Sequence, residues 1–69
     1  MEVLRMSVWV AYVKRTAESP WRLEALSVLG PDRARALAER EHARHRVIGA
    51  EYQVRQFATP KDAPDLLEG

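Results

Sequence analysis

The sequence predicts a small α+β domain in which a three-stranded sheet is covered by one helix, in the chain order β-β-α-β. Three observations predict it. Ser7 to Arg15 concentrates β-branched and aromatic residues. Arg33 to Arg46 is dense in alanine, arginine and glutamate, between a Gly30-Pro31-Asp32 start and a Gly49 stop. With 69 residues, the chain has room for a single domain.

Along Ser7 to Arg15 (Ser-Val-Trp-Val-Ala-Tyr-Val-Lys-Arg) both alternating sets of side chains are apolar, the pattern of a strand covered on two sides and therefore central in its sheet. Thr16 to Pro20 breaks this run with short polar residues and a proline, which suits a hairpin loop of about five residues. Trp21 to Leu29 starts as a half-exposed strand, because Trp21, Leu23 and Ala25 alternate with Arg22 and Glu24. Its composition also suits a helix.

Proline is tolerated in the first helical turn, and Asp32 there complements the positive end of the helix dipole. The helix is expected to reach about Val47. Glu51 to Ala58 restores period-two alternation and reads as the third strand. From Thr59 onward, Pro60 and Pro64 with Lys61, Asp62, Asp65 and Glu68 describe a polar tail that does not continue a sheet, although Leu66 and Leu67 are able to dock in a groove. The expected division is a domain over residues 1–58 and a tail over 59–69. A right-handed crossover from the second strand through the helix to the third makes those two strands parallel, with the first between them in the order 2-1-3.

Composition narrows the function classes. Eleven basic and ten acidic residues leave a net charge of +1, too small to draw the chain nonspecifically to nucleic acid or an anionic membrane. The absence of cysteine removes disulfides and thiolate zinc sites as sources of stability, so self-association as a dimer becomes the leading expectation for so small a core. No stretch is apolar enough to span a membrane, and the N-terminal segment lacks the pattern of a signal peptide; a cytoplasmic location is the default expectation. Nine arginines against two lysines, with no asparagine, fit a heat-adapted or GC-rich source.

Several constellations bear on chemistry. At 100° per residue, Ala34, Leu37, Ala38, Glu41, His45 and Ile48 fall on one helix face, which is the expected core-facing stripe. Glu41 and His45 stand at i and i+4 within it. That spacing favours a carboxylate–imidazole contact, read chiefly as a structural polar pair. Glu39-x-x-His42 matches one half of a carboxylate di-iron motif, but such centres draw ligands from four helices, so no metal and no cofactor is expected. Serines outside any nucleophile elbow and glycines outside any phosphate loop leave no catalytic residue to name.

The sheet gives the sharper expectation. One helix shelters one face, taken to be that of Val8, Val10 and Tyr12, and leaves Trp9, Ala11 and Val13 on an open face with Arg55 and Phe57. An apolar patch of this kind reads as a dimer or partner interface of a non-catalytic interaction module. The alternative is nucleic-acid binding, with the same aromatics stacking on bases and Arg33, Arg40 and Arg44 tracking phosphates.

Overall fold

The computed structural model describes residues 7–45 and 48–67. Strands β1 (Val8–Lys14) and β2 (Trp21–Ser27) form a hairpin, helix α1 (Pro31–Arg44) crosses one face, and β3 (Glu51–Phe57) pairs with the other side of β1. A 3-10 turn over Pro60–Asp62 leads into β4 (Leu66–Leu67). The α+β class and, among the described residues, the one α-helix match the sequence reading, but the sheet has four strands where three were expected, in the order β3-β1-β2-β4: β1 lies between β2 and β3, each antiparallel to it, and β4 is added beside β2. The fourth comes from the tail. Both of its prolines lie outside β4, so Leu66 and Leu67 are free to pair with Arg22 and Trp21 at the sheet's edge.

Gly30 precedes the helix at φ 131° and ψ 167°, a conformation reserved for residues without a side chain, and Pro31 follows with its φ already suited to the first turn. The helix ends at Arg44. Arg46 and Val47, expected in its last turn, lie outside the described residues. Gly49 turns the chain toward β3 at φ 78°.

Both faces of β1 are buried, and the assignment of faces is the reverse of the one the alternation suggested. Ala11 and Val13 pack with Ala34 and Ala38 of the helix, with Trp9, Ala25, Tyr52 and Val54 around them. Val8, Val10 and Tyr12 face away from the helix, against Trp21, Leu23, Phe57, Ala63 and Leu67. Side-chain size explains the choice: alanines on both sides let the helix backbone come close to the sheet, whereas the bulky set fills space under a thin strap of chain. That strap is the tail, which crosses the second face and is fastened by two bonds. The Tyr12 hydroxyl donates to the Pro64 carbonyl at 2.8 Å, and the Leu23 amide donates to the Asp65 carbonyl at 2.8 Å.

Helix phase differs for a related reason. Ala34, Ala38 and His42 are the buried residues of α1, while His45 is exposed and Ile48, beyond the helix end, is 92% exposed. A seam at i, i+4 and i+8 seats its smallest residues at the closest approach to the sheet, and this rotates the wheel away from His45. Among the described residues no helix is long and apolar enough to cross a membrane.

If the tail is a fastened part of the fold, Tyr12→Phe should lower stability by about 1 kcal/mol, the ordinary net worth of such a bond. Amide exchange at Leu23 should speed up with it. Unchanged melting and unchanged exchange would show that the Tyr12–Pro64 bond does not fasten the strap.

Candidate interaction site

A bulge in β2 organises the polar part of the sheet. Ala11 lies opposite Ala25, but the next residue, Tyr12, lies opposite Leu23, so Glu24 is the extra residue. Strand parity flips there. Trp21 and Leu23 go to the strap side and Ala25 to the helix side, and the Glu24 carboxylate is aimed at the buried His42. Its Oε1 stands 3.4 Å from His42 Nε2, without hydrogen-bond geometry, and neither ring nitrogen has a hydrogen-bond partner among the described residues. The imidazole is 1% exposed and packs at 5.7 Å, centroid to centroid, from the Tyr52 ring. Arg35 caps the other end of this group, with its guanidinium carbon 5.7 Å from the Tyr52 centroid and its Nε donating to Glu39 at 2.8 Å.

Glu24 also lines a shallow cleft of about 290 Å³ with Val13, Arg15, Ser19, Pro20 and Arg22. Its carboxylate therefore reaches water on one side while His42 behind it stays sealed. The cluster pins helix to sheet, with the imidazole buried between them. Sequence reasoning missed His42 as a core residue. The Ala34-x-x-x-Ala38-x-x-x-His42 spacing was the available signal, since two alanines four apart already mark a close-packed seam.

The residues expected to form an open patch are not brought together. Trp9, Ala11 and Val13 lie under the helix, whereas Arg55 and Phe57 pair with Val10 and Val8 on the strap face. Phe57 meets the Tyr12 ring edge-on at 6.4 Å. Glu41 and His45 do meet, with Oε1 and Nε2 3.1 Å apart, but on the exposed surface rather than in the core. Glu39 points to Arg35 and His42 to the sheet, so the Glu-x-x-His spacing yields no shared ligand site. Arg33, Arg40 and Arg44 are exposed on α1, with Arg44 3.9 Å from Glu41; Trp9 packs on the helix side of the sheet and Phe57 on the other, so the two aromatics do not form one platform.

What remains open is an edge. β4 is two residues long and preceded by Pro64, features that blunt an edge against pairing. At the opposite end of the sheet, β3 runs for seven residues without proline or glycine, and among the described residues it is paired to β1 on one side only. Glu51, Arg55 and Gln56 along it are exposed, and Arg55 Nε donates to Gln53 Oε1 at 3.3 Å. Compared with known protein families, curated proteins and solved structures, the chain matches none.

Both tyrosine hydroxyls are held above the usual phenol range. Burial is the main cause at Tyr52, reinforced by Glu39 and Glu24 and opposed by Arg35; at Tyr12 burial again leads, opposed by Arg55 and reinforced by Asp65. The folded chain thus keeps each phenol protonated more firmly than the unfolded chain. Their contribution to stability is complete below the unfolded value of about 10 and is lost as pH rises through the folded values. Because Tyr12 and Tyr52 are the two tyrosines of the chain, an absorbance titration reads them directly. Both should ionise later than free tyrosine, and Glu39→Gln should move Tyr52 alone back toward it. Ionisation at the free-tyrosine pH in a folded sample would contradict the burial.

For His42, a packing role predicts that His42→Leu melts at or above the wild-type temperature, since it removes two unbonded nitrogens at similar volume. By contrast, His42→Ala should cost about 2–5 kcal/mol through the void it leaves. Equal losses in the two variants would refute that role.

Proposed function

We propose that this chain is a small non-catalytic interaction module that self-associates through the open edge of its sheet. The observation that carries the proposal is the side of β3 left unpaired among the described residues, seven residues long with backbone donors and acceptors available to another strand. Both broad faces are occupied by the chain's own helix and tail, which moves the contact from the sheet face to its rim. Size argues the same way: a core this small gains from pairing with a second chain.

Light scattering across a concentration series tests the reading. The mass should approach twice the 7.9 kDa of the chain as concentration rises. Proline is placed in turn at Gln53 and at Val54; because amide direction alternates along a strand, one of the two removes an outward donor while sparing the pairing with β1. That variant should melt as a folded protein and weigh as a monomer. A wild-type chain that stays monomeric at the highest concentration rejects the proposal, as does a dimer indifferent to both prolines.

A further inference from the structure

Resting on the edge reading above, we infer that the partner at β3 is a second copy of this chain, antiparallel and centred on Gln53, so that Glu51 of each copy faces Arg55 of the other. A two-fold axis that joins two β3 edges in one continuous sheet stands normal to that sheet. It keeps each face on its own side, so directly opposed residues belong to the same face and their numbers sum to an even constant. The registers are therefore few and can be compared one by one.

Centring on Arg55 opposes two guanidinium groups, and centring on Glu51 opposes two carboxylates. Centring on Val54 aligns all seven residues but sets each Glu51 carboxylate beside the Phe57 of the other copy and leaves Arg55 with Gln53. Centring on Gln53 satisfies both faces. On the strap face it forms two Glu51–Arg55 pairs around Gln53 against Gln53; on the helix face it sets Tyr52 against Val54 twice, an aromatic opposite a β-branched residue. Glu51 and Arg55 are exposed in the single chain, and Arg55 is bonded only to the neutral Gln53 among the described residues, so both charges are available to a partner. In the resulting eight-stranded sheet the two helices lie on the same side. The charges also act against wrong pairings, because like groups meet in the registers centred on Glu51 and on Arg55.

Charge exchange tests this register. Arg55→Glu alone opposes four carboxylates in two pairs and should raise the dimer Kd about tenfold or more; Glu51→Arg alone should do the same with guanidinium groups. The double variant Glu51→Arg with Arg55→Glu restores opposite charges and should return Kd to within a few-fold of wild type. All three losses and recoveries should shrink in high salt. Thermal melts by circular dichroism confirm that each variant is folded, as expected for exposed positions. A wild-type dimer that is broken by an edge proline but insensitive to both single reversals overturns the register and leaves the edge reading standing. A double variant no tighter than the singles also overturns the register. A monomeric wild type overturns both.

Discussion

Everything in this fold follows from the burial of β1 on both faces. Val8, Val10, Ala11, Tyr12 and Val13 are almost wholly withdrawn from water, so the strand must have a layer above it and another below. The described residues supply one α-helix, and the second layer comes from the polar, proline-containing tail over residues 59–67. Ala11 decides which layer goes where. Opposed to Ala34 and Ala38 it lets the helix sit close, while the large side chains of Val8, Val10 and Tyr12 fill a volume that a narrow strap then closes.

The bulge at Glu24 reconciles β2 with this division. Without an extra residue, Trp21, Leu23 and Ala25 would all face one way, and either the strap would lose its apolar partners or the helix would meet an indole where it needs an alanine. Its by-product is a carboxylate directed at a buried imidazole. Leaving buried nitrogens unbonded costs on the order of 1–3 kcal/mol per group, so helix packing around His42 and Tyr52 must outweigh that cost. Glu24 is 18% exposed, and its access to the neighbouring cleft spares the fold a fully desolvated charge.

The legible parts of the sequence were those with a strong local period. The apolar run of β1, the hairpin loop with its Thr16–Ser19 turn, the Gly30-Pro31 helix start and the alternation of β3 all carry their own signals. The illegible parts depend on partners distant along the chain. Nothing near Trp9 says which side the helix takes, since that rests on matching alanines at 11 and 25 with those at 34 and 38. Nor does Glu24 carry a mark of the bulge. The tail misled because its prolines argue against a strand, whereas the pairing needs just two residues between them and the end. With the faces reversed, the expected patch of Trp9, Ala11, Val13, Arg55 and Phe57 was divided by the sheet itself.

Covering both faces does not finish the accounting of backbone groups, because a sheet has rims as well as faces. Among the described residues the outward amides and carbonyls of β3 have no strand partner, and in the proposed dimer a strand from a second chain would satisfy them with geometry already set by β1. Whether such an edge is safe depends on what its side chains do to an incoming copy. A strand bearing opposite charges an even number of residues apart is complementary to itself about the midpoint between them, and Glu51 and Arg55 are four apart on one face. Two-fold symmetry doubles each such contact at no cost in sequence. In the proposed edge contact, a spacing that is ordinary on a helix serves as an address for a second molecule of the same kind.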